Sequence, residues 1–156
     1  PTTARSNLVC EPLYVEPLIA VARRDHPAAT GHALDLERLG EAVIITTGEP
    51  TYEQSIGTEY RHFIASLSTT AARTLVVSQP TTVIALVREG LGAGLLPLLA
   101  ARMLHSDDLI YTTLPAEYRR TVGLFTNASR HPSRAAQVVR SELFSAQLAE
   151  GLVAPT

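Results

Sequence analysis

Two short turns carry the side chains best suited to holding a small polar molecule. Thr46, Thr47 and Gly48 follow a continuous apolar run at residues 42–46, and Ser78, Gln79 and Thr81 follow a second run at residues 74–77. In an open parallel sheet, ligands bind beyond the carboxyl ends of the strands. The second turn also opens a helix, where unbonded backbone N–H groups favour an anion. Hydroxyls, an amide and a helix N-terminus suit a small carboxylate, and they suit many other polar molecules too. The competing reading is local: Ser78 caps its helix, while Thr46 and Thr47 only shape a turn.

Other reactive residue types lack the arrangement that catalysis or metal binding needs. Ser78 stands at a strand-to-helix turn, as an elbow nucleophile would, but Gly-x-Ser-x-Gly is absent. Gly90, Gly92 and Gly94 follow a helix and precede a strand, the reverse of a dinucleotide-binding turn. They read as a helix stop with a close approach to the next strand. His105 with Asp107 and Asp108 is too sparse a ligand set for a metal and reads as a solvated loop. Cys10, the single cysteine, is expected free and packed. His26 reads as structural, His62 as partly exposed, and Arg119 and Arg120 as solvent-facing at a strand start. The expectation is a binding protein with no catalytic residue, metal or cofactor.

Composition narrows the partners. The chain has 156 residues, 46% hydrophobic and 18% charged, with a net charge of −2. That is globular composition, enough for one domain or two small lobes. All 13 basic residues are arginine and are scattered along the chain, whereas a nucleic-acid module concentrates them on one face. DNA contact through these residues is therefore not expected. No apolar run reaches the ~18 residues of a membrane span, and residues 1–7 lack a signal peptide's apolar stretch. The sequence therefore offers no export signal, and no membrane contact is expected.

Periodicity reads as alternating strands and helices. Strands are expected at residues 17–22, 42–46, 74–77, 93–96, 109–114 and 121–126. Asp35 caps a short helix that Gly40 stops. Thr51 and Gln54 have capping-box spacing before a helix with Ile56, Tyr60, Phe63, Ile64 and Leu67 on one stripe, weakened at Gly57. Ser78 and Pro80 open a helix that buries Val83, Ile84, Val87 and Leu91. Further helices follow at residues 98–104 and 132–148, the last with Ala136, Val139, Leu143 and Ala146 on one face. This order gives an α/β fold with a mainly parallel sheet.

Three stretches, in order, resemble the effector-binding domain of LysR-type transcriptional regulators. They are Glu-Pro-Leu-Tyr-Val-Glu-Pro-Leu from Glu11 followed by His26-Pro27-Ala28-Ala29, the run from Val83 through Gly90, Gly92 and Leu95 to Pro97, and the helix after Arg130-His131-Pro132. The resemblance implies a type 2 periplasmic-binding-protein-like fold of two α/β lobes, with a small effector held in the cleft between them. It implies a partial first lobe and crossover strand at residues 1–27. A complete second lobe at 28–117 and a return crossover strand with the C-terminal helix at 118–156 complete the expected arrangement. Residues 18–22 and 121–126 would be the two crossovers. Effector contacts would come from Thr46, Thr47, Gly48, Ser78, Gln79, Thr81 and Pro97. DNA binding would belong to a helix-turn-helix outside these residues. The whole protein would be a homo-oligomer, associating through residues 58–67 and 74–77, with Tyr60 and Phe63 partly uncovered. The alternatives are a solute-binding protein or a binding-protein-like enzyme of the same two-lobe fold and, more remotely, a Ser78 hydrolase.

Overall fold

A computed structural model describes residues 7–48, 58–67, 73–101, 107–146 and 152–153. The chain divides into two compact units, Pro17–Arg119 and a second formed by Pro1–Glu16 with Arg120–Thr156.

The Pro17–Arg119 unit holds the hydrophobic core. It contains the end of β1 (Leu8–Arg23) and the small ladder of β2 (Ala29–Thr30) with β3 (Ala33–Leu34). A 3-10 turn (Glu37–Glu41), β4 (Ile44–Thr47), α1 (Thr58–Leu67), β5 (Thr74–Val77) and α2 (Pro80–Arg88) follow. The unit ends with β6 (Ala93–Pro97), α3 (Leu98–Ala101) and β7 (Leu109–Thr113). The strand order is β5-β4-β6-β1-β7. β4 is parallel to both β5 and β6, while β1 is antiparallel to β6 and to β7. The sheet is thus mixed, and the expected predominance of parallel pairing holds only for β5-β4-β6. There a helical segment separates successive strands and returns the chain to the same end.

Side-chain alternation along β4 explains two apolar layers. Ile44 faces Tyr60 and Phe63 of α1, while Ile45 faces Val83 and Val87 of α2. A strand covered on both faces reads as a continuous apolar run, which is why residues 42–46 stood out. β5 is different. As an edge strand it leaves Thr74 and Leu75 exposed, so the apolar run at residues 74–77, which reads as a buried strand, is only half covered. Tyr60 and Phe63 are 6% and 3% exposed, so neither large ring is left uncovered. The α1 stripe turns them into the layer of Leu18 and Leu95.

Two glycines act through space. Gly40 lies inside the 3-10 turn and does not stop it, and a Cβ there would sit 2.5 Å from the Leu67 carbonyl oxygen. A Cβ on Gly92 would lie 2.1 Å from the Val43 carbonyl oxygen. Gly90, at φ +77°, ends α2 in the left-handed region as expected. Leu91 beyond it is 45% exposed and not buried, because the turn carries it off the helix's apolar face.

The other unit comprises the first part of β1, β8 (Arg119–Asn127) from Arg120 onward, and α4 (Arg134–Ser145). β8 pairs β1, and Val15 bridges Val153. Ser133 caps α4, its hydroxyl accepting from the Ala136 N–H at 3.2 Å. No α4 residue is buried: Val139 is 58% exposed and Leu143 45%. Cys10 is exposed and not packed away, although its Sγ lies where a Cβ on Gly123 would go. The Thr51 to Gln54 capping box, Ile56, Gly57, Leu104, His105 and Leu148 lie outside the described residues.

Candidate effector site

Parallel pairing brings the two predicted turns to one pole of the Pro17–Arg119 unit. Thr46 pairs with Val76 and Thr47 with Val77, so β4 and β5 end together. The Gly48 N–H donates to the Val77 carbonyl at 2.9 Å, which ties the turns to each other. β6 runs parallel beside β4, with Thr46 opposite Leu95, so Pro97 ends at the same pole. All seven expected contact residues are therefore clustered by strand direction. Their exposure differs: Ser78, Gln79 and Thr81 are exposed, Thr47 and Gly48 half-buried, and Thr46 and Pro97 buried.

The helix start differs from the sequence reading. Gln79, extended at φ −128° and ψ 139°, is the N-cap residue, Pro80 follows at the first helical position, and no side chain caps the end. A residue before proline is driven to this extended conformation, so Ser78 falls one position too early to cap. The Thr82 and Val83 N–H groups both donate to the Gln79 carbonyl, at 3.1 and 3.3 Å. The Thr81 N–H donates to none of the described residues, and proline has none to give. The exposed end of α2 thus offers an N–H group, the Ser78 and Thr81 hydroxyls, and the positive end of the helix dipole.

Thr46 lies deeper. It is wholly buried on the face of β4 shared with Ile44, and its Oγ1 makes no hydrogen bond. A buried hydroxyl without a partner carries a desolvation cost. Because parallel β-pairing uses only main-chain groups, it leaves this side chain unsatisfied.

Other candidates are separated from this pole or otherwise engaged. His26 Nδ1 accepts the Ala28 N–H at 3.1 Å, and burial pushes its pKa below the usual imidazole value despite the opposing charge of Asp25. His62 is exposed. Asp107 and Asp108 are exposed, and the Asp107 carbonyl receives the Arg24 Nε–H. Among the described residues no cluster of His, Cys, Asp or Glu could hold a metal, and no helix is long and apolar enough to cross a membrane. Arg119 and Arg120 are exposed, as expected, yet Arg120 also engages a buried group. Its Nε and Nη2 both donate to Glu16 Oε2 at 2.8 Å, and Glu16 is 0% exposed. Nothing in the Glu-Pro-Leu pattern around Glu16 announces a buried carboxylate, because Arg120 lies 104 residues away.

The parallel β5-β4-β6 core, the antiparallel β1 and the pole of hydroxyls define a type 2 periplasmic-binding-protein-like ligand-binding fold. The family model described as the LysR substrate binding domain matches residues 1–147. This chain belongs to that family, the effector-sensing domain of LysR-type transcriptional regulators. Solved structures agree in fold. A full-length OxyR variant from Pseudomonas aeruginosa aligns over 100% of this chain and 50% of its own, at TM-score 0.70 and 23% identity. The effector binding domain of QuiR in complex with shikimate aligns over 92% of this chain and 67% of its own, at TM-score 0.70 and 15% identity. The regulatory domain of Synechocystis CcmR in complex with 2-PG aligns over 93% of this chain and 69% of its own, at TM-score 0.64 and 19% identity. The chain spans half the length of the full-length regulator it resembles. A comparison with curated protein sequences finds no match.

Proposed function

We propose that this domain senses a small polar molecule bearing an anionic group at the shared carboxyl-end pole of β4, β5 and β6. The uncapped N-terminus of α2 carries the reading, since the Thr81 N–H, the Ser78 hydroxyl and the helix dipole converge where a carboxylate or phosphate would sit. Gln79 and Thr47 border that position, Gly48 holds the two turns in register, and Pro97 closes the end of β6. Thr46 lies beneath, with a hydroxyl that a penetrating ligand atom would satisfy. The QuiR and CcmR structures, whose ligands are shikimate and 2-PG, support the anionic class.

The domain works by binding, not by catalysis. Its effector shifts the population of conformations, and the shift is felt in how protomers pack. In the whole regulator, DNA contact belongs to a separate helix-turn-helix and the protein is a cytoplasmic homo-oligomer. The exposed edge strand β5, with the adjacent α1, is the association surface. Residues 1–27 and 118–156 belong to the first lobe and its crossovers, and residues 28–117 to the second.

Calorimetry on the parent regulator tests the site with a panel of carboxylates and phosphoesters that includes shikimate and 2-PG. The ligand that binds should lose at least about threefold in affinity on Thr81→Ala and on Ser78→Ala, roughly 0.6 kcal/mol each. Unchanged affinity in both variants refutes the assignment.

A further inference from the structure

The opposite pole of the same strands has a hollow of its own, of about 260 Å³. It opens between the 3-10 turn, the entry to β4 and the Gly90 to Gly92 turn, with His26, Arg38, Glu41, Val43 and Leu91 around it. Two glycines create the space. Gly92 lies flat against the Val43 carbonyl, where no side chain fits, and Gly90 turns the chain at φ +77°. Leu91 is held between them with 45% of its surface exposed.

The charged side chains lining it, Arg38 and Glu41, are of opposite sign. Arg38 and Glu41 lie three residues apart on a 3-10 turn, where such residues eclipse. Neither side chain makes a hydrogen bond or ion pair with the described residues, although the Arg38 backbone N–H donates to Asp35 Oδ1 at 3.5 Å. Arg23, nearby, is by contrast paired with Asp25 and bonded to the Arg88 carbonyl. His26 Nδ1 accepts the Ala28 N–H, so the neutral ring carries its proton on Nε2. The negative C-terminal end of α2 is already met by the Arg23 guanidinium on the Arg88 carbonyl, which leaves Glu41 as the anionic group of the hollow.

We propose that this hollow is a second ligand site, for a small aliphatic amino acid in its zwitterionic form. The carboxylate meets the Arg38 guanidinium and the His26 Nε2–H. The ammonium meets the Glu41 carboxylate. The aliphatic side chain covers Leu91 and Val43. The volume suits a metabolite below drug size. α2 connects the two poles as one helix, from Pro80 beside the candidate effector site to Arg88 beside the hollow. A ligand in the hollow therefore bears on the helix that presents the effector site. The proposal is independent of which effector binds there.

Amide NMR titration of the chain with L-leucine tests it. Saturable shifts are expected at Ala42, Val43, Gly90, Leu91 and Gly92, with a dissociation constant near about 1 mM. 4-Methylpentanoate, lacking the ammonium, and isopentylamine, lacking the carboxylate, should each bind at least about tenfold more weakly. Arg38→Met and Glu41→Gln, both at exposed positions, should each weaken L-leucine at least about fivefold with the thermal midpoint unchanged. The proposal is overturned by the absence of saturable shifts up to about 20 mM, well above the expected constant. It is also overturned if either half-ligand binds as tightly as L-leucine, or if the shifts centre on Ser78 and Thr81 instead.

Discussion

Glu16 and Arg120 form an ion pair at the two points where the chain passes between its compact units. Glu16 ends the first segment of one unit, Arg120 begins the second, and one carboxylate oxygen receives two N–H donors at 2.8 Å. Removing one partner of a buried charge costs up to about 3–5 kcal/mol. Because the Arg120 side chain is 44% exposed, water recovers part of this. Arg120→Met should therefore destabilise the chain by about 2–3 kcal/mol in urea denaturation. The double variant Glu16→Gln with Arg120→Met should recover at least half of the loss. A single variant as stable as the parent would contradict a stabilising Glu16–Arg120 pair.

Thr46 should separate stability from binding. Thr46→Val keeps the shape and removes a buried hydroxyl that has no partner. Unliganded stability should stay level or rise by up to about 1 kcal/mol, while affinity for an effector reaching this depth should fall. Thermal melts with and without ligand read both effects, and a destabilised apo protein would reveal a hydrogen bond in the unliganded state.

Glycine contacts give a graded series. Gly92→Ala forces a Cβ to within 2.1 Å of a main-chain oxygen, so the β4 and β6 entries must move apart. A loss above about 3 kcal/mol is expected, in the range of strong overpacking. Gly31→Ala meets nothing within 4 Å and suffers only from φ +69°, so about 1 kcal/mol is expected. Equal losses in the two variants would remove close approach as the reason for Gly92.

His26 predicts an acid-side loss of stability. Burial lowers its folded pKa below the unfolded value of 6.5, so the unfolded chain binds the extra proton more readily. The contribution is complete above pH 6.5 and is lost as pH falls through that value toward the folded pKa. Protonation also removes the acceptor for the Ala28 N–H. His26→Gln should flatten stability against pH between 7 and 5 relative to the parent, measured by denaturation at each pH; parallel profiles would exclude His26 as the cause.

The face of α4 should behave as surface in this chain. Val139→Asp and Leu143→Glu replace side chains that are 58% and 45% exposed. Thermal stability should change by less than about 0.5 kcal/mol, and self-association measured by sedimentation should decrease, as it does when an apolar patch is broken. A cooperative loss of the fold would show that α4 is buried in solution.

Residue types and their spacing were enough to read the order of elements and the end of the sheet that matters. Continuous apolar runs at residues 42–46 and 93–96 mark strands covered on both faces, and parallel neighbours must place Thr47, Ser78 and Pro97 at one pole. Such signals are local, written in spacing and side-chain type. Tertiary structure decided what depended on distant partners. It made β1 antiparallel to both β6 and β7, put β5 on an open edge, buried Tyr60 and Phe63, and left α4 uncovered. It placed Arg120 against Glu16 across 104 residues of chain. It also moved the cap of α2 from Ser78 to Gln79, because the geometry imposed by Pro80 outweighs the capping preference of serine. Burial and pairing are properties of the neighbour that arrives, and periodicity along one segment carries no record of which neighbour that is.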